Sequence, residues 1–220
     1  MSDRWATFDC YGTLVDWMSG IRDTLSQLWP ENDADALLAV YHAIEPDVQA
    51  GRGIAYRQIM AETLAKVAGV QGLVMPAGRE NALAASLPSW PVFPEVPAAL
   101  RAMSDAGWKL AILSNTDADL LEASLTAIGV PVDVRVVASE VGSYKPALGH
   151  WDAFFRLTNA DRARHMHVAA SLFHDVEPCA ALGLPCVWIN RMGETSPLPR
   201  AGELTDLSGL PNLLDRLIPA

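Results

Sequence analysis

The chain has 220 residues, half of them hydrophobic, which suffices for one large domain or for a domain with a smaller one inserted. Its net charge is -10 and its Lys and Arg are scattered, which argues against nucleic acid or an anionic membrane surface as partner; a small anionic substrate needs only one local cation and stays open. The first residues hold no basic stretch followed by an apolar run, no apolar run approaches the length of a membrane span, and Cys10, Cys179 and Cys186 form no CxxC and cannot all pair, so the expectation is a cytoplasmic chain without a secretory leader.

The stretch Trp5-Ala-Thr-Phe-Asp9 is a short apolar run that ends in an acid, and Gly12-Thr13 follows as a turn. It predicts a buried strand presenting Asp9 at its tip, where open parallel sheets place their chemistry. Alone, Asp9 reads equally well as a turn cap. Cys10 should point to the opposite face and reads as a small buried filler.

Residues 16–90 then form a helical block without a convincing strand. Ile21, Leu25 and Leu28 share one helix face, residues 33–44 are rich in Ala and Leu, and residues 56–67 and 81–87 repeat the helical pattern. Pro30, Gly51, Gly53, Gly69 and Gly72 punctuate the block, and the Pro-rich residues 88–94 read as a return linker. Among its aromatic residues, Trp17, Trp29, Tyr41, Tyr56 and Trp90 could line a pocket, more of them as core than as contacts.

Beyond residue 96 helices and strands alternate. Helices are expected at 96–106, 118–128, 146–157, 176–182 and 207–217, and strands at 109–113, 132–138, 165–169 and 186–190. Strand–helix–strand units with short loops mean an α/β fold with a parallel sheet. The first strand is separated from the rest of its sheet by the helical block, so the layout is a core of residues 1–15 and 91–220 with a cap of residues 16–90. Such a cap over the strand tips can close a site against water.

Because strand tips of a parallel sheet face one side, four clusters can converge: Asp9 with Thr13, Ser114 with Asn115, Lys145, and His174 with Asp175. An aspartate can act as a nucleophile and form an ester or acyl phosphate. Ser114 and Asn115 can donate to a bound anion, and Lys145 would keep Asp9 ionised and attract an anionic substrate. Each feature alone has a plainer reading, as helix cap, solvated lysine or helix-start acid. His165 and His167 alternate on one strand face, but they sit at the strand's start, away from the tips, so no zinc site is expected.

Phe8-Asp9-Cys10-Tyr11-Gly12-Thr13-Leu14 resembles the first motif of the haloacid dehalogenase superfamily. Leu113-Ser114-Asn115 resembles its second motif, Tyr144-Lys145-Pro146 its third, and Ser171-Leu-Phe-His174-Asp175 its fourth. The resemblance spans the chain and implies a Rossmann-like core with a helical cap. Phosphatases of the superfamily carry a second Asp two residues after the nucleophile, where this chain has Tyr11, and Asp-x-Tyr-Gly-Thr is similar to the 2-haloacid dehalogenase branch.

That resemblance implies hydrolytic dehalogenation of a small 2-haloacid without a cofactor or metal: Asp9 attacks C2, halide departs, and water hydrolyses the aspartyl ester. Thr13 and Ser114 would hold the nucleophile or the substrate carboxylate, Lys145 would fix Asp9, and Asp175 would orient or activate the water. Asn115 would help cradle the halide, and Cys10, Tyr11, Arg52, Ser171 and His174 complete the expected substrate contacts. The branch places an Arg early in its cap, where this chain reads Val40-Tyr41-His42-Ala43-Ile44-Glu45, and Arg52 is the nearest substitute. Glu45, if it faces the site, would repel an anion; otherwise it is a solvated cap residue. Ala170 and Leu172 replace two polar groups of the fourth motif, and Trp151 replaces an aromatic hydroxyl.

Three other readings remain: a hydrolase of the same kind acting on another activated C–X bond, a Mg²⁺-dependent phosphatase with Asp9 and Asp175 as metal ligands, and a non-catalytic relative that binds a ligand or protein. Exposed apolar residues of the cap could support a homodimer, though no stretch demands one.

Overall fold

In the computed structural model, which describes residues 2–220, strand β1 (Arg4–Phe8) is buried along its whole length. Its burial follows from its place in the sheet, where it pairs in parallel with β2 (Trp108–Ser114) on one side and β4 (His165–Ala169) on the other. A strand covered by helices on both faces reads as a continuous apolar run rather than an alternating one. Outside these lie β3 (Val134–Val137), β5 (Cys186–Ile189) and β6 (Gly202–Leu204), giving the order β3-β2-β1-β4-β5-β6 with every pairing parallel. The order reverses between β1 and β4, and a crevice outside the strand ends forms at such a point. The Rossmann-like α/β expectation is met.

Between β1 and β2 the chain forms α1 (Trp17–Leu28), α2 (Ala34–Gln49), α3 (Tyr56–Gln71), α4 (Ala82–Ser86) and α5 (Val96–Asp105). Asp16 caps α1 by accepting the Ser19 N–H at 3.1 Å, and Asp33 caps α2 through the N–H groups of Asp35 and Ala36. Gly20 lets α1 lie against Trp90, since a Cβ there would stand 2.3 Å from the indole. On the other half, α6 (Ala118–Ile128), α7 (Ala138–Val141), α8 (Gly149–Thr158), α9 (Glu177–Leu182) and α10 (Leu210–Leu217) alternate with the strands. Among the described residues no helix is long and apolar enough to cross a membrane.

Several boundaries differ from the sequence reading. The helix that begins in the Ala- and Leu-rich stretch of residues 33–44 continues through Pro46 to Gln49, and its last turn buries Glu45, Val48 and Gln49. The strand expected over 132–138 is shorter, since Ala138 already opens α7. The helix expected from residue 146 starts at Gly149, and a wide π-helical turn (Leu172–Val176) precedes α9. Strand β6 was not anticipated: three residues at a sheet edge leave no hydrophobic period to detect.

Candidate active site

Asp9 follows β1 directly, its N–H donating to the Val168 carbonyl at 3.1 Å. Its Oδ1 accepts from Lys145 Nζ at 2.9 Å and its Oδ2 from Thr13 Oγ1 at 3.0 Å. Thr13 is held in turn, because its Oγ1 accepts the Ala170 N–H at 2.9 Å. Gly12, at φ +94°, makes the reversal that brings Thr13 back toward Asp9.

Lys145 is 1% exposed, and its ammonium uses all three protons: on Asp9, on the Leu113 carbonyl at 2.9 Å, and on Asp175 Oδ1 at 2.6 Å. Asn115 aims it, since its Oδ1 accepts the Lys145 N–H at 2.6 Å and its Nδ2 donates to the Lys145 carbonyl at 2.9 Å. The π-helical turn carries Asp175 into place, its start capped by Ser171, whose Oγ accepts the His174 N–H at 3.0 Å. Asp175 Oδ1 takes a second bond, from His167 Nε2 at 2.9 Å, while Oδ2 is buried without a partner.

Burial works against the charge on each of these groups. It raises the Asp9 pKa, and the attraction of Lys145 only partly offsets it because Asp175 adds repulsion. For Asp175, Lys145 and His167 outweigh burial and hold the carboxyl well below its usual range. For Lys145, the two carboxylates outweigh burial and keep the ammonium charged. The negative charge therefore settles first on Asp175, and Asp9 ionises above its ordinary value.

The cavity over these tips measures about 620 Å³, and Asp9, Tyr11, Ser114, Asn115, Lys145, Ser171, His174 and Asp175 all line it. Ser114 Oγ is buried without a partner, a donor free to meet a substrate oxygen. Burial lowers the His174 pKa, so that imidazole is neutral at physiological pH. The Tyr11 hydroxyl is engaged with Ser124 Oγ at 3.1 Å, and burial pushes its pKa far up.

Two expected contacts lie elsewhere. Cys10 is buried in the core beside Leu14 and does not line the cavity, as the alternation of an extended chain demands. Arg52 lines a neighbouring cleft that meets the cavity at Gln49, Lys145 and His174, and its guanidinium is held by Glu62 of α3 at 2.5 and 3.1 Å. His167 corrects the reading in the other direction: the strand is only five residues long, and the turn after it folds Asp175 back onto His167. A chain of contacts continues from His167 Nδ1 to Thr7 Oγ1 at 2.8 Å and on to His165 Nε2 at 2.9 Å. Among the described residues no cluster of His, Cys, Asp and Glu with metal-binding geometry was found.

Sequence reasoning missed the far wall. Arg191, just past the β5 tip, lines the cavity, bonds Glu95 at 2.6 Å and the Thr13 carbonyl at 2.8 Å, and lies 3.5 Å above the Phe93 ring. Its position after a parallel strand was the available signal. His42, Glu45 and Gln49 of α2 line the cavity too, with His42 stacked on Trp17 at 4.7 Å between centroids. Glu45 is thus not a solvated residue. Of the five aromatic residues singled out, Trp17 and Tyr56 line the cavity, while Trp29, Tyr41 and Trp90 belong to the core.

A parallel sheet with a buried, lysine-held carboxylate at the tip of its central strand defines a hydrolase site of the aspartate-nucleophile kind. A profile of haloacid dehalogenase-like hydrolases matches residues 4–183, and the chain belongs to that family. It is similar to the (S)-2-haloacid dehalogenase 1 of Pseudomonas sp. strain CBS-3, 27% identical over 230 aligned positions that cover 97% of each chain. Its fold matches the crystal structure of the L-2-haloacid dehalogenase RSc1362 with a TM-score of 0.87, at 23% identity, over 98% of this chain and all of that one. The L-2-haloacid dehalogenase of Xanthobacter autotrophicus, solved with chloropropionic acid covalently bound, matches at 0.84 and 19% identity over 96% of this chain and 98% of that one.

Proposed function

We propose that this hydrolase displaces halide from C2 of a small 2-haloacid through an ester on Asp9. An Asp9 oxygen attacks C2 as the carbon–halogen bond breaks and the halide leaves with the bonding electrons. Water then adds to the ester carbonyl, the 2-hydroxy acid departs, and Asp9 is restored. Lys145 keeps Asp9 in register, and Thr13 supports its second oxygen. Ser114 Oγ is the donor for the substrate carboxylate, and the unpartnered Asp175 Oδ2 is the acceptor for the hydrolytic water.

The observation that carries this reading is Tyr11. It stands where a phosphatase of the family places its acid, and its hydroxyl is turned to Ser124. Halide needs no proton to leave, whereas an alkoxide does. The name of the Pseudomonas relative, similar over nearly the whole chain, supports the same substrate class. The core of residues 1–15 and 91–220 would hold the reacting groups and the cap of residues 16–90 would cover them, in keeping with the placement of α1 to α4 between β1 and β2. Three free, buried thiols fit a cytoplasmic setting.

Magnesium-dependent phosphate ester hydrolysis is the second reading. The donor set suits it poorly: Mg²⁺ prefers six oxygens in an octahedron. Here both Asp9 oxygens and one Asp175 oxygen already accept from lysine, threonine or histidine.

Rapid-quench mass spectrometry with chloro-, bromo- and fluoroacids, with and without EDTA, tests the proposal. Halide release with an adduct mapped to Asp9 and no EDTA effect is expected. No halide from any acid, together with EDTA-sensitive cleavage of p-nitrophenyl phosphate, overturns it.

A further inference from the structure

In a displacement at carbon, the departing atom leaves on the side opposite the nucleophile. Asp9 sits on the core wall, so the leaving group moves toward a wall that does not carry the nucleophile. Helix α2 supplies such a wall, because His42, Glu45 and Gln49 fall at i, i+3 and i+7 and all three line the cavity. None of them is a cation at neutral pH, since burial lowers the His42 pKa.

The cations that line the same cavity, Lys145 and Arg191, stand off α2. Lys145 spends its three protons on Asp9, Asp175 and Leu113. Arg191, just past the β5 tip, bonds Glu95 and the Thr13 carbonyl through Nη2, while its Nε is buried without a partner. A departing anion that moves toward α2 is then met by neutral donors. Resting on the dehalogenase reading above, we propose that Glu45, in its protonated form, donates a hydrogen bond to the departing halide, with the Gln49 amide beside it, and that this suits the site to fluoride, the halide that accepts hydrogen bonds most strongly. The proton stays on Glu45 and the halide leaves with its electron pair, so the later hydrolysis is unchanged.

The surroundings of Glu45 fit the role. It is 9% exposed, and burial alone moves its pKa up to about 7. The groups around it are the phenols of Tyr41, Tyr56 and Tyr144, all pushed above their ordinary value by burial, and the neutral imidazole of His42. The three phenols stay neutral around neutrality, and burial favours the neutral form of His42. Elsewhere in the cavity stand Asp9, Asp16, Lys145, His174, Asp175, Arg191 and Glu194. Of these, Asp9 must lose its proton for attack, which gives activity a rising limb, and Glu45 must keep its own, which gives a falling limb near neutrality.

The test is kcat/KM against pH for halide release from fluoro-, chloro- and bromoacetate by wild type, Glu45→Gln and Glu45→Ala. Wild type should follow a bell that falls above about pH 7. Glu45→Gln, which keeps the shape and a neutral donor, should hold its rate through that limb. Glu45→Ala should lose about 10²-fold, most on fluoroacetate and least on bromoacetate. A falling limb that persists in Glu45→Gln, or an alanine variant with wild-type rates on all three acids, overturns the role of Glu45 and leaves the dehalogenase reading standing. No halide from wild type overturns that reading and takes this one with it. Should Glu45→Ala fail to fold, the pH profile of the isosteric Glu45→Gln decides alone.

Discussion

On the core wall of the cavity, each proton of Lys145 has an acceptor and each oxygen of Asp9 has a donor. On the α2 wall, His42 Nε2 is buried without a partner, and burial is the only influence on the Glu45 carboxyl. The first arrangement fixes charge before a substrate arrives, which is what a nucleophile and its counter-ion require. The second leaves polar groups unpaired in an apolar setting, a cost that a ligand can relieve. Removing the nucleophile from the first wall should therefore stop the chemistry, whereas altering the second should slow it and change its pH dependence and stability.

The largest effect expected is that of Asp9→Asn. The amide cannot form the ester, and halide release should fall by about 10³-fold or more. Quenched wild-type protein should carry the substrate's mass on Asp9 and the variant none. Retained turnover in Asp9→Asn would equate the two walls and end the comparison.

His167 sharpens it next, because it acts on the core wall without facing the cavity. Its Nε2–H holds Asp175 Oδ1, which leaves Oδ2 as the free oxygen toward water. His167→Ala should slow ester hydrolysis about 10- to 100-fold, the equivalent of losing one hydrogen bond to a charged group, while ester formation stays near the wild-type rate. The adduct on Asp9 should then accumulate, and His167→Gln, which can restore a donor, should clear part of it. A merely structural role would lower both steps together and leave no adduct.

The core wall was largely legible in the chain. Asp9, Thr13, Ser114, Lys145 and Asp175 stand at or just past strand ends, and a parallel sheet must bring such positions to one side. Their joint geometry follows from topology more than from side-chain detail. The α2 wall was only partly legible: Glu45 was weighed as facing the site, but the Ala- and Leu-rich stretch stops at residue 44, and Gln49 lies beyond Pro46 in the same helix. Arg52 misled for a related reason: proximity in sequence and two flanking glycines said nothing of Glu62, ten positions on, which binds it. His167 was hidden because its partner arrives through a π-helical turn, and no simple hydrophobic period marks one.

The α2 wall makes its own prediction for stability. Unfolded, Glu45 titrates near its ordinary 4.5; folded, it titrates at about 7. Between those values the folded state holds a proton that the unfolded state releases, so stability falls as pH rises through the window and levels off above it. The full loss is of order 3 kcal/mol, as an upper bound. Glu45→Gln should therefore melt several degrees above wild type at pH 8 and near it at pH 4.5. Equal melting temperatures at both pH values would place the carboxyl in water and return Glu45 to the solvated reading.

The smallest effect expected is at Arg52, and its smallness is the point. Its ion pair with Glu62 leaves the side chains 35% and 36% exposed, and solvent-screened pairs of this kind contribute little to stability. Arg52 lines a cleft next to the one that holds Asp9. Arg52→Ala should therefore lower the melting temperature by no more than a few degrees and leave kcat, KM and the pH profile of halide release where they were. A rise in KM for chloroacetate with unchanged stability would mean that the loop from Gly51 to Gly53 carries the guanidinium into the cavity when substrate binds. The α2 wall would then hold a cation in the working enzyme, and the neutral-donor account of Glu45 would have to yield to it.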